Sequence, residues 1–316
     1  MPTTRLDELR TIDPVLTTIA QGYRNSGMVA ESLFPTVQVS KAKGKIPQFG
    51  KDAFIERNLI RATRAQSNRI PPSDIELIEF ETIEHDIEIA IDYIEEEESL
   101  EFYRYEQSTA KQLMDVLLNN KEKEAAALAL DASLYDTEMK ITLTSDNAFN
   151  NAYSTISPIT VILNGINAIH SRIGLYPNTI IIGVDAYKAL LENTYLLERI
   201  KYTGIPGVTQ AFLKEIFNVK QLEVGASVYS EDGSTFSNIW SDNVVIAYVD
   251  KNEHRYRSEF NPSFGYTLQR EGKPEIDTYY ENGGKIKVIR NTDNYCLKVT
   301  SRDAAYLIKD TVHSFS

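Results

Sequence analysis

Between Arg104 and Asp131 the chain runs for 28 residues without a glycine or a proline. The stretch is rich in Ala, Leu, Lys and Glu, the strongest helix formers. Leu113, Met114, Leu117 and Leu118, and later Ala125, Leu128 and Ala129, form an apolar stripe at helical spacing beside Lys121, Glu122, Lys123 and Glu124. At 1.5 Å per residue the spacing predicts a helix roughly 40 Å long. It is the longest rigid element in the chain.

A second well-specified stretch runs from Ser157 to Gly225. Ser157 offers an N-cap and Pro158 a first helical residue, Ile162, Ile166, Ile169 and Ile173 recur at helical spacing, and Gly174 supplies the C-terminal stop. Thr179–Ile182 reads as a β-branched, buried strand. Asp185 precedes the next helical pattern and reads as its cap, with a catalytic acid at a strand end as the other reading. A helical patch at Leu196–Tyr202, a helix capped by Thr209 with Phe212, Leu213, Ile216 and Phe217 inward, and strands at Val219–Val224 and Asn243–Val249 complete a compact α/β unit over 155–250.

Upstream, the charge changes sign abruptly. Lys41, Lys43, Lys45, Lys51, Arg57, Arg61, Arg64 and Arg69 are opposed only by Asp52 and Glu56. From Asp74 to Glu101 there are thirteen acidic residues and no Lys or Arg. Ile83, Ile87, Ile89, Ile91 and Tyr93 alternate with acidic residues, the period of a half-buried strand, whereas Ile78 and Phe80 sit in the opposite phase. A bulge or bend near Glu81 and Thr82 reconciles the two. Thr36 to Ile94 thus reads as a two-stranded excursion with a basic outgoing and an acidic returning limb, which is marginal alone and needs a partner surface. Residues 1–34 hold one helix, opened by Asp13 and Pro14, and read as an arm lying on its own body or on a neighbour.

The last part returns to β structure: Tyr256–Leu268, a turn at Gly283-Gly284, then Lys285–Ile289 and Tyr295–Thr300. The long helix and a strand at Met139–Leu143 are the expected partners.

At 316 residues the chain suits about two domains, on a prior of roughly 150 residues each. A net charge of -12 and a pI near 5.0 argue against a general reader of nucleic acid. The single cysteine, Cys296, excludes an intrachain disulfide and a thiolate metal cluster, and fits a reducing, cytoplasmic folding environment. The start lacks the apolar core of a signal peptide, and no apolar run is long enough to span a bilayer. The soluble reading follows, with no membrane partner. His85, His170, His254 and His313 are scattered, and no phosphate loop, dinucleotide fingerprint or nucleophile elbow occurs. No catalytic residue, cofactor or metal is assigned.

Glu95, Glu96, Glu97 and Glu98 suit a divalent cation or, more simply, a solvated turn. The basic 41–69 segment is either a solvated loop or a docking surface for an acidic one. Because the chain carries its own acidic limb, a copy of itself is a sufficient partner. The basic residues and these four glutamates are the candidates for contacts between subunits.

The order of parts resembles the major capsid proteins of tailed bacteriophages, of the Hong Kong 97-like type. The likeness is carried by Ile12–Phe54, by PNTIIIGVDAYKALLEN at Pro177–Asn193, by LLERIKYTG at Leu196–Gly204 and by NPSFGYTLQ at Asn261–Gln269. The resemblance implies an α+β fold: an N-terminal arm (1–36), an extended β-hairpin loop (37–82), a peripheral domain in two parts (83–154, with spine helix 104–131, and 251–316), and an inserted α/β axial domain (155–250). It implies hexamers and pentamers of an icosahedral or prolate shell around double-stranded DNA, with arms and loops over neighbouring subunits. A separate scaffolding protein, a portal and a decoration protein are implied partners, in a virion assembled in the host cytoplasm. An encapsulin-like compartment of the same fold and an α/β enzyme are the alternatives. Nothing fixes an Asn partner for a loop Lys, so crosslinking is not expected.

Overall fold

In the computed structural model the Gly- and Pro-free run is a single helix, Phe102–Ala129. The structure describes residues 10–23, 27–48, 60–61, 63–64, 66–68, 77–98, 102–201, 207–250, 252 and 261–313. In chain order the strands are β1 (Thr11–Ile12), β2 (Thr36–Val39), β3 (Lys43–Pro47), β4 (Leu77–Glu81), β5 (Ile83–Asp92), β6 (Lys140–Thr142), β7 (Thr179–Gly183), β8 (Gln221–Gly225), β9 (Val228–Tyr229), β10 (Ser237–Asn238), β11 (Val244–Ala247), β12 (Gly265–Arg270), β13 (Glu275–Glu281), β14 (Ile286–Val299) and β15 (Ala305–Lys309). The helices are α1 (Pro14–Gly22), α2 (Ala30–Leu33), α3 (Tyr93–Glu98), α4 (the spine helix, Phe102–Ala129), α5 (Pro158–Ile173), α6 (Val184–Glu192), α7 (Thr194–Ile200) and α8 (Gln210–Phe217).

The α/β unit is built on a five-stranded sheet in the order β6-β15-β11-β7-β8. Its helix ends follow the local chemistry. Ser157 Oγ accepts from Ile159 N, Thr209 Oγ1 accepts from Phe212 N, and Gly174 closes α5 at φ 68°. Asp185 departs from expectation. β7 runs into α6 with no loop between them, so Gly183 occupies the cap position and Asp185 falls inside the first turn. Its carboxylate accepts from Asn238 Nδ2 at 2.9 Å and pairs with Lys188 at 3.3 Å, an anchoring role and not a cap.

At that junction a β-carbon on Gly183 would lie 2.0 Å from the Ser241 carbonyl oxygen and 2.6 Å from that of Trp240. Both are backbone atoms. Gly183→Ala is therefore expected to destabilise the fold by about 1–3 kcal/mol through overpacking, read as a lower midpoint of chemical denaturation.

Two strands of this sheet come from outside 155–250. β6 was expected to partner the strands at 256–268, 285–289 and 295–300, but it lies parallel to the later strand β15, which in turn pairs antiparallel with β11. Buried Tyr135, Met139 and Leu143 belong to the same core as Ile180–Ile182, and they hold β6 there.

The second sheet runs β1-β13-β14-β12-β2, with β5 on the other edge of β14. The two strands expected at 285–289 and 295–300 are one continuous strand, β14, because the backbone of the polar stretch between them is paired with β5 along its length and with β13 as far as Thr292. Asn291 and Asp293 are buried, and the Asp293 carboxylate accepts from Gln269 Nε2 at 2.8 Å. β13 was not anticipated. Of the strand expected at Tyr256–Leu268, β12 represents the C-terminal part, and residues 253–260 lie outside the described residues.

The excursion is shorter than Thr36–Ile94. β2 pairs in parallel with β12 and β5 pairs with β14, so both belong to the large sheet. Only β3 and β4 form the ribbon. The change of phase is at Thr82, buried between β4 and β5, whose N–H donates to the Ala42 carbonyl at 2.8 Å as the strand passes from one sheet to the other. Tyr93 starts α3 and does not extend β5.

One apolar core runs from the five-stranded sheet to Ala125, Ala126 and Ala129 at the end of the spine helix and to Val29–Phe34 of the arm. A second joins Leu16 and Ala20 of α1 to Ala110, Leu113 and Met114 of the spine helix and to Ile276 and Ile289 of the large sheet.

Candidate subunit interface

The root of the ribbon is fixed on the chain's own sheet. Ile46 and Phe80 pack with Val37, Val39, Tyr266 and Leu268. Across the two strands Lys43 stands opposite Glu81 and Lys45 opposite Glu79, with ion pairs of 2.6 and 3.0 Å. The hydrogen bond and the charge of Lys45 lower the pKa of Glu79, but both pairs lie in solvent, where screening leaves them weak. Two of the basic candidates thus meet acidic partners within their own hairpin. Lys41, Arg61 and Arg64 are exposed, and Arg64 adopts a left-handed backbone at φ 68°. Lys51, Arg57 and Arg69 lie outside the described residues.

The acidic counterpart is carried by β5. Glu84, Asp86, Glu88 and Asp92 are exposed on one face while Ile87, Ile89 and Ile91 turn inward. Side chains on one face of a strand repeat at about 6.8 Å, so these carboxylates form a row. The row continues into α3, where Glu95 and Glu98 are exposed and the Glu95 carboxylate accepts from Asp92 N. The side chains of Glu96 and Glu97 lie outside the described residues. Among the described residues no group of three or more His, Cys, Asp or Glu is placed to hold a metal ion.

The arm, as far as it is described, lies on its own body. Asp13 caps α1, accepting from Val15 N and Leu16 N. Tyr23 Oη donates to the Asp115 carboxylate on the spine helix at 2.9 Å, and Arg10 pairs with Glu275 at 2.7 Å and Asp277 at 3.1 Å. Where α1, the spine helix and the large sheet meet there is a cavity of about 170 Å³, lined in part by Ala20, Met114, Lys121, Gln269 and Asp293.

The tip expected at Ser230–Ser237 is a small hairpin closed on Asp232. That carboxylate accepts from Ser234 N, Thr235 N, Ser230 Oγ and Thr235 Oγ1, and these donors hold its pKa low. Glu231 reaches Lys123 of the spine helix at 3.3 Å, and Lys123 Nζ lies 4.1 Å from the centre of the Tyr229 ring. The hairpin is pinned, and Phe236 beside it is 67% exposed. Tyr153, before α5, is 93% exposed. Neither residue was singled out from sequence, since an aromatic side chain carries no mark of exposure until its neighbours are placed.

Cys296 is half-buried in the ribbon-root cluster, and burial pushes its thiol up to about 11. It is therefore a protonated, inert thiol at neutral pH. No helix among the described residues is long and apolar enough to cross a membrane.

No protein-family model matches the chain. It is 41% identical over 305 residues to the major capsid protein of Burkholderia phage BcepMu, covering 96% of this chain and 98% of that one. Among solved structures, a phage-related protein from Bordetella bronchiseptica is 28% identical with a TM-score of 0.81, over 96% of this chain and 98% of the other. The capsid of cyanophage P-SCSP1u shares the fold at 12% identity, with a TM-score of 0.56 over 91% of this chain and 89% of that chain.

Proposed function

This chain belongs to the bacteriophage major capsid proteins, with a Hong Kong 97-like fold, and from that premise we propose that its copies close into hexamers and pentamers of an icosahedral or prolate shell around the double-stranded DNA of a tailed phage. The observation that carries this reading is one chain bearing two surfaces of opposite charge, both exposed: Lys41, Arg61 and Arg64 in the basic segment that leads into the ribbon and runs between its strands, and the carboxylate row of β5. A surface that fits a different surface on the next copy is heterologous, and such contacts generate rings where the rotation between copies closes.

In this reading residues 1–36 are the arm, 37–82 the extended loop with β2 at its root in the large sheet, 83–154 and 251–316 the peripheral domain, and 155–250 the axial domain around ring centres, to whose sheet the peripheral segments lend β6 and β15. The role is structural and not enzymatic. A net charge of -12 suits a container that holds DNA without gripping it or reading its sequence. A scaffolding protein, a portal and a decoration protein are the further partners, and assembly takes place in the host cytoplasm, without a membrane, before the shell becomes part of the virion.

Electron microscopy of the purified chain, alone and with a scaffolding protein, tests this. Closed particles with five- and six-fold clusters are expected. A chain that stays monomeric under every assembly condition would overturn the proposal.

A further inference from the structure

Glu122, on the spine helix, is 1% exposed, and its carboxylate is shared by three parts of the chain. Val29 N donates to Oε1 at 2.9 Å and Ala30 N to Oε2 at 2.8 Å, both from the arm. Trp240 Nε1 donates to Oε1 at 2.6 Å from the loop that follows the hairpin. Trp240 is itself buried and packs against Gly225, where a β-carbon would come within 2.3 Å of the indole. The next residue of the spine helix, Lys123, holds the same hairpin through Glu231 and Tyr229. Consecutive helix residues thus grip the arm, the Trp240 loop and the hairpin.

We propose that Glu122 is a latch that couples the seating of the arm at Val29–Ala30 to the position of Trp240 in the α/β unit. A buried carboxylate is tolerated only while hydrogen-bonded, because transfer out of water without compensation is strongly unfavourable. Burial raises the pKa of Glu122 and the bonds from Val29, Trp240, Ala30 and Ser227 oppose that rise, so the anion depends on donors from both sides. If the arm lifts, both of its backbone donors leave. The carboxyl must then take up a proton or admit water, and either event alters its bond to Trp240. The reverse follows by linkage: loosening Trp240 must loosen the arm by the same factor. This coupling belongs to the single chain and stands whether or not copies assemble.

Trp240 is the only tryptophan, so its emission reports on the junction alone. In the full-length Trp240→Phe variant, which keeps an aromatic ring but lacks the N–H, amide exchange at Val29 and Ala30 is expected to quicken at least about fivefold, with far-UV circular dichroism unchanged. In Glu122→Gln, Trp240 emission is expected to shift to longer wavelength while the same two amides exchange faster. Wild-type exchange at Val29 and Ala30 in Trp240→Phe overturns the latch. Should that variant not fold, Glu122→Gln decides, and movement of only one of its two signals overturns the proposal.

Discussion

Changing Lys41, Arg61 and Arg64 together to glutamate is expected to abolish shell assembly while leaving the subunit folded. All three are exposed, so reversing them removes no core contact. Lys43 and Lys45 are left unchanged, because reversing them would set like charges against Glu81 and Glu79 across their own hairpin and blur the result. On the proposed neighbour the new glutamates would face a row of carboxylates, and like charges across an interface penalise the contact and slow encounter. A shell multiplies that penalty over every copy. Sedimentation should find the variant as a soluble subunit with wild-type circular dichroism at concentrations where the parent forms particles. Because charges beyond a Debye length of about 8 Å are screened at physiological ionic strength, high salt should restore part of the assembly. Normal particles from the triple variant would remove the ribbon's charge from the contact.

Asp277→Ala is expected to have the largest effect on the subunit itself. The Asp277 side chain is fully buried and holds Arg10 at 3.1 Å and Arg290 at 2.8 Å, and the arginines are 16% and 22% exposed. Removing the carboxylate takes a partner from two largely buried cations, Arg290 on β14 and Arg10 in the arm. Breaking a buried pair in this way costs about 3–5 kcal/mol, and the access of water to both guanidinium heads places the loss near the lower figure. A fall in the urea midpoint with little change in the slope is the measurement, since the exposed area on unfolding is nearly the same. A loss under about 1 kcal/mol would show that the arginines find other partners, Glu275 being the nearest to Arg10 at 2.7 Å.

The elements that were legible before folding are those whose signal is local. The spine helix declares itself by composition and periodicity. Ser157, Pro158 and Gly174 mark both ends of α5, and Asp13 with Pro14 marks the start of α1. The bend between β4 and β5 was readable because the phase of apolar residues flips across Thr82. Asp185 was misplaced by two residues because the strand enters the helix without a loop, so its last residue, Gly183, takes the cap position.

For the interface, the charge blocks were plain in the sequence, but their partners were not. Lys43 and Lys45 looked available and are paired at home, and Glu122, an ordinary charged residue in a helical stripe, turned out to sit at the junction of arm, spine and α/β unit. No local pattern marks such a residue, because its partners lie about 93 and 118 positions away.

What the amino-acid sequence determined by itself, then, was the longer helices, the compact α/β stretch and the family likeness, all of which rest on neighbours three or four residues apart or on motifs in order, whereas the short helices α2 and α3 were not read. What only the tertiary structure decided was which strands share a sheet and which charges are already spent. β6 and β15 join the α/β sheet, and β13 and the middle of β14 are strands despite their polar residues. The physical reason is that burial of a polar strand becomes favourable only when distant donors and acceptors arrive together, as Arg10 does for Asp277 across 267 residues of chain.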